Sequence, residues 1–170
     1  MIKAHLIGQI IFSNNSDAFS LYEKSSFGEK KEEKVQYTLA EALYLLEKKK
    51  LEIYQKSKKI SFKELLEKVR KIDKNIQIKY PVFRDLRDKG YIVKTALKFG
   101  ADFRVYDRGV KPGEDHARWI IYPVHEGSVL TWYEFAAKNR VAHSTKKRLM
   151  IGIVDEESDV TYYEIKWMRP

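Results

Sequence analysis

Cysteine is absent from the 170 residues, which excludes disulfides, thiolate nucleophiles and sulfur-ligated zinc. Histidine is scarce too, with 4 isolated copies, so neither a metal cage nor a metal cofactor is expected. No stretch approaches the ~20 consecutive apolar residues that span a bilayer. The opening residues 1–8 are too short and strand-like for a signal peptide. A cytoplasmic chain with no membrane partner is the expectation. Asn and Gln are also scarce, while Lys and Glu dominate a charged fraction of 34%, a bias that fits a chain built for high temperature.

What is present fills a core. Hydrophobic residues make up 44% of the chain and aromatics 13%, enough for one ordinary domain or two small ones. Lys and Arg outnumber Asp and Glu by 33 to 24, giving a formal charge of +9 and a pI near 9.5. That balance favours a phosphate-rich partner, although a basic chain need not bind nucleic acid.

Pattern along the chain predicts an α+β protein in two parts: a small N-terminal α/β unit over residues 1–75, and a C-terminal mixed α/β domain with a central sheet over residues 76–170. Residues 4–12 form a β-type run, 13–16 a turn, and 18–22 the start of another strand. Residues 28–34 read as a charged connector. Thr38-Leu39-Ala40-Glu41 and Ser61-Phe62-Lys63-Glu64 are capping boxes, in which the hydroxyl accepts from a backbone N–H and the Glu reaches back to the cap. They open a helix to about Lys50 and a second one marked by Phe62, Leu65, Leu66 and Val69. Apolar periodicity lapses over 71–75, the linker, and restarts in a third helix ending at Gly90, with Pro81 near its beginning. Strands are expected over 91–97, 102–106 and 118–124. Thr131-Trp132-Tyr133-Glu134 caps a helix running towards Ser144, and 149–154 with 160–167 form a hairpin around an acidic turn.

Three residue types in the second part suit metal-free RNA cleavage: Tyr106 at a strand end, His116 after a short acidic loop, and Lys147 in the basic run Lys146-Lys147-Arg148. In that reaction the ribose 2′-hydroxyl attacks the adjacent phosphorus, so one group takes its proton and another protonates the departing 5′-oxygen. A cation offsets the charge growing on the phosphate oxygens. A phenol with an unperturbed pKa of about 10 is a poor base near neutrality unless cations favour its anion, whereas a histidine at about 6.5 can serve as the acid. Spacing alone is weak support, because a strand-end Tyr is commonly core and a Lys in a basic run is commonly solvated.

The run from Tyr91 through Thr95-Ala96-Leu97-Lys98-Phe99-Gly100-Ala101-Asp102-Phe103-Arg104-Val105-Tyr106 to Gly109 resembles the signature of archaeal tRNA-splicing endonucleases. Val141-Ala142-His143-Ser144-Thr145-Lys146-Lys147-Arg148 and Val160-Thr161-Tyr162-Tyr163-Glu164 resemble the same family in the same order, so that the likeness covers nearly all of residues 76–170. The N-terminal part resembles it chiefly through residues 38–46. The resemblance implies excision of introns from precursor tRNA at bulge-helix-bulge sites, without a cofactor. Tyr106 would be the base, His116 the acid and Lys147 the cation, chosen over Lys146 because the family motif places a basic residue just before the catalytic Lys. It also implies that Arg140 is one jaw of a clamp on an extruded base, with Lys166 or Trp167 as the other, since guanidinium and indole planes both stack on bases. A homotetramer is implied, with an acidic loop of Asp155, Glu156, Glu157 and Asp159 docking on a neighbouring subunit. From the residues alone that loop is an ordinary hairpin turn, and His125 and His143 are structural.

Two other readings stay open. Glu164-Ile165-Lys166 has the E-x-K spacing of metal-dependent nucleases, with Asp155 or Asp159 upstream. The chain could also be a non-catalytic RNA-binding or structural subunit of a mixed assembly.

Overall fold

The structure, a computed structural model, describes residues 1–170 and divides into two compact units, Met1–Gln77 and Ile78–Pro170.

In the first unit, strands β1 (Ile2–Ile7) and β2 (Ile10–Ser13) form a hairpin, because the residue at position 8 is a glycine with φ of +61° and the chain reverses there. Helix α1 (Ser16–Ser25) follows, then β3 (Glu29–Lys31), β4 (Lys34–Tyr37), α2 (Leu39–Glu47), β5 (Leu51–Gln55), β6 (Lys58–Ile60) and α3 (Phe62–Ile72). The six strands lie in the order β3-β4-β2-β1-β5-β6, and only β1 and β5 run parallel. Ala4, Ile11, Val35, Leu43, Leu45, Ile53 and Leu65 are buried in the core. The capping boxes of α2 and α3 form as expected, and the first has a further use. The buried Glu41 carboxylate accepts from Thr38 N at 2.9 Å and from Gly28 N at 3.0 Å, so it joins the helix start to the chain entering β3.

Three sequence expectations need correction here. Residues 18–22 are helix, not strand: Ala18, Phe19, Leu21 and Tyr22 sit at spacings that also suit a helical face, and Asn15 caps it by accepting from Asp17 N at 2.8 Å. The connector at 28–34 contains β3, an edge strand whose Glu29, Lys30 and Lys31 are all exposed, charge that protects an edge from pairing with another chain. The hairpin β5–β6 had no counterpart in the sequence reading, and the helix before it stops at Glu47, with Lys49 in the left-handed region at φ 55°.

Helix α4 (Ile76–Asp88) leads into the second unit. Pro81 is its sixth residue, inside the helix and not in its first turn, and its missing N–H leaves the Gln77 carbonyl without its helical donor. Gly90 follows at φ 88°. Strands β7 (Ile92–Thr95), β8 (Phe103–Tyr106), β9 (Trp119–His125), β10 (Arg148–Val154) and β11 (Val160–Ile165) make one sheet ordered β11-β10-β9-β8-β7, with a short 3-10 turn over Leu97–Phe99. Only β9 and β10 are parallel, and helix α5 (Trp132–Ser144) is the crossover such a pair requires. One sheet face meets α4, where Phe83 packs on Phe103 and the Tyr162 hydroxyl donates to Asp85 at 2.7 Å. Burial and the Asp85 carboxylate hold the Tyr162 phenol above its ordinary range. The other face carries Ile120, Tyr122, Leu149 and Ile151 with Ala142 of α5.

Candidate active site

Strand direction and register decide where the sequence-selected residues fall. In the antiparallel pair β8–β9, Val105 faces Trp119, and in the parallel pair β9–β10, Trp119 faces Arg148. One step outward, Arg118 N donates to Val105 O and Arg148 N to Arg118 O, both at 2.9 Å. Tyr106, Arg118 and Lys147 therefore form one row at one end of the sheet, with Ile92 opposite Tyr106 on the far side. Tyr106 and Lys147 are two strands apart, about 10 Å between backbones. His116 stands two residues before Arg118 in the loop entering β9, so all three groups gather at this end. No hydrogen bond joins them to one another.

Each is held differently. Tyr106 is 5% exposed and packs with Ile92, Ala117 and Val110, the last two from the same loop as His116. The Arg104 guanidinium stands 5.9 Å from its ring centre. His116 is exposed, and its backbone N–H donates to Asp115 Oδ1 at 2.6 Å. Lys147 follows Lys146, whose φ of 55° turns the chain from α5 into β10. Its backbone N–H donates to Ala142 O at 2.9 Å, while its half-buried ammonium donates to Thr145 O at 3.3 Å and lies 5.4 Å from the Phe99 ring.

Beside Lys147 a pocket of about 320 Å³ is lined by Asn139, His143, Arg148, Lys166 and Trp167. It is continuous, through Asn139, His143, Lys166 and Trp167, with a larger groove of about 820 Å³ that adds Arg140, Phe135, Ala136 and Met168. Arg140, Lys166 and Trp167 are thus on one groove that opens next to Lys147. His143, set aside in the sequence as structural, lines both and packs against Trp167 with the rings tilted by 53° and their centres 4.8 Å apart. Its spacing of three from Arg140 and four to Lys147 was the available signal. Arg104 and Arg118, near Tyr106, were also passed over. Arg118 is paired with Asp107 at 2.9 Å and its guanidinium carbon lies 4.6 Å from the Trp119 ring.

These features decide the nature of the domain when set beside known proteins. The family model described as "tRNA intron endonuclease, catalytic C-terminal domain" matches residues 76–162, and the one described as "tRNA intron endonuclease, N-terminal domain" matches residues 2–66. The chain belongs to the tRNA intron endonuclease family. The endonuclease is 41% identical over 170 residues to a tRNA-splicing endonuclease of Thermococcus gammatolerans, covering 99% of both chains. It is 42% identical to that of Thermococcus kodakarensis over the same span and shares. Over 138 residues it is 48% identical to the tRNA-splicing endonuclease of Nanoarchaeum equitans, covering 78% of this chain and 88% of that one. As a member, it is an endoribonuclease.

The remaining sequence candidates lie elsewhere in this unit. Asp155, Glu156, Glu157 and Asp159 form the β10–β11 turn, roughly 20 Å along β10 from Lys147. Asp155 Oδ1 accepts from the backbone of Glu157 and Asp159, each at 2.9 Å, and Glu156 lies 3.3 Å from His125 Nε2. Glu164 of the E-x-K triplet is at the opposite end of β11 from that turn. It accepts from the Trp119 indole at 2.7 Å and from Arg148 at 3.2 Å, and these donors, Trp119 foremost, hold its carboxyl below the usual range. Glu164, Asp155 and Asp159 thus share no cluster, and no group of three or more His, Asp or Glu side chains is placed to hold a metal ion. No helix is long and apolar enough to cross a membrane.

Proposed function

We propose that this endonuclease excises introns from precursor tRNA by cutting at bulge-helix-bulge sites, with the chemistry in residues 76–170. The 2′-hydroxyl attacks the scissile phosphorus while its proton passes to the Tyr106 oxygen in its phenolate form, leaving the neutral phenol. The P–O5′ bond breaks as His116 protonates the departing oxygen, and Lys147 offsets the charge on the non-bridging oxygens. The products carry a 2′,3′-cyclic phosphate and a 5′-hydroxyl. Arg140 with Trp167 or Lys166 holds a splayed base in the groove, where planar cations and an indole can stack on either of its faces.

The observation that carries this reading is the row of strand ends that delivers Tyr106 and Lys147 to one edge, with His116 in the adjoining loop and the groove alongside. The acidic turn, far from that edge and exposed, is free to dock on the basic surface of a second copy, as a homotetramer presenting two sites to the two ends of an intron would need.

Incubating the purified chain with a bulge-helix-bulge RNA in excess chelator, then analysing the ends, tests the chemistry. Cyclic phosphate and 5′-hydroxyl ends are expected, and a 2′-deoxy residue at the scission site should abolish the cut. Normal cleavage of the deoxy substrate would exclude 2′-hydroxyl attack. Intact RNA with protein alone would favour the role of a non-catalytic subunit.

A further inference from the structure

The first turn of α5 carries large rings with little over them: Tyr133 is 78% exposed and Trp132 85%. Rings of this size have well over 100 Å² to bury, so leaving them in water forgoes a large stabilisation unless they meet something else.

Tyr133 is connected to the groove by helix geometry. Positions 133, 136, 140 and 143 fall at steps of three, four and three, one stripe along α5, reading Tyr133, Ala136, Arg140, His143. Lys147 follows four residues later, past the helix end. The Arg140 guanidinium carbon lies 6.0 Å from the Tyr133 ring centre. Arg140 and Ala136 are groove walls, and His143 reaches the pocket that holds Lys147. Cations and rings therefore alternate from Tyr133 through Arg140 and the His143–Trp167 pair to Lys147.

Charge selects the occupant. The stripe has two cations, at Arg140 and Lys147, and no carboxylate, since the neighbouring Glu134 is bound into the Thr131 cap. Apolar surface of a second copy laid over the stripe would leave both cations without counter-charge. Single-stranded RNA supplies phosphates to the cations and π faces to the rings.

We propose that Tyr133 is an outer stacking station for single-stranded RNA, holding a nucleotide roughly 15–20 Å along α5 from the scissile linkage. The inference rests on RNA being cut beside Lys147, and it adds a contact beyond the base hold assigned to Arg140 and Trp167.

The test uses the full chain and a bulge-helix-bulge RNA made uncleavable by a 2′-deoxy residue at each of its two scission sites, with dissociation constants measured by filter retention. Tyr133→Ala is expected to raise Kd about tenfold, the loss of one base–ring stack, while Tyr133→Phe restores it to near the wild-type value. With wild-type protein, making single-stranded nucleotides abasic one at a time should find one position with the same penalty, and that change should add nothing in Tyr133→Ala. Unaltered binding by Tyr133→Ala overturns the inference, as does a loss that is the same whichever nucleotide is abasic. A changed sedimentation coefficient for Tyr133→Ala also overturns it, by assigning the ring to a contact between copies. Wild-type protein that fails to bind the RNA removes both this inference and the reading beneath it, whereas wild-type binding matched by the variant removes only this one.

Discussion

Gly28 adopts φ of +79°, and a β-carbon there would come within 2.5 Å of Val35 Cγ1 and 2.9 Å of the Gln36 carbonyl oxygen. Two independent requirements, the left-handed backbone and the close approach, meet at this residue. Gly28→Ala should therefore destabilise the protein by roughly 2 kcal/mol or more, checked by urea unfolding; an unchanged midpoint would contradict the stated geometry. At the site, Tyr106→Phe keeps the ring among Ile92, Ala117 and Val110 but removes the oxygen proposed to accept the proton. The single-turnover rate should fall about 10²–10⁴-fold, the range for loss of general base catalysis, with little change in melting temperature. A variant that cuts at the wild-type rate would remove Tyr106 from the chemistry. Residue types were legible in the chain, since a phenol, an imidazole and an ammonium group can be read off directly. Their placement at one end of the sheet was not, because residues 106, 116 and 147 are brought to that end only through the order β8-β9-β10.

Elements that begin with a reciprocal side-chain cap were located well: α2, α3 and α5 start where Thr38, Ser61 and Thr131 place them. The exchange of bonds at a capping box is complete within four residues, so no distant neighbour can change it. Residues 18–22 and the β5–β6 hairpin were not, because a short apolar run suits either period and pairing with β1 settles it only in three dimensions. The cap of α3 also sets a pH dependence. Lys58 first, then the Ser61 backbone and hydroxyl, hold the Glu64 carboxyl down at about 2 from an ordinary 4.5. A carboxyl depressed in the folded state stabilises it above the unfolded value, and this contribution is lost as pH falls from 4.5 through about 2. The Glu64 carboxyl resonance should titrate in that lower range, and a midpoint near 4.5 would show the cap unmade. Helix α5 is a contrast to α2: among its 13 residues Ala142 alone is buried, whereas α2 buries 6 of 9. Amides in the first two turns of α5 should exchange faster than those of α2 and slow when RNA is added, which hydrogen exchange by mass spectrometry would register; equal rates would mean α5 is held by contacts not described above.

At the scale of the whole molecule, each unit has its own sheet and its own buried core. The basic excess of the chain was plain from composition, and the strand expected over 149–154 already set Lys147 a strand's length from the acidic turn; that β9 would lie between β8 and β10 was not, since pairing order is settled only in three dimensions. One asymmetry between the units has a practical side. Trp119, Trp132 and Trp167 are all in the second unit, and the first has none. Of the three, Trp119 is 8% exposed and bonded to Glu164, while the other two are open to water. Intrinsic indole emission on denaturation should therefore follow the catalytic unit alone, its red shift coming from Trp119, while circular dichroism in the far ultraviolet follows both. A chain whose two spectroscopic transitions coincide melts as a single cooperative body, and one whose transitions separate carries its catalytic half as an independently folding part.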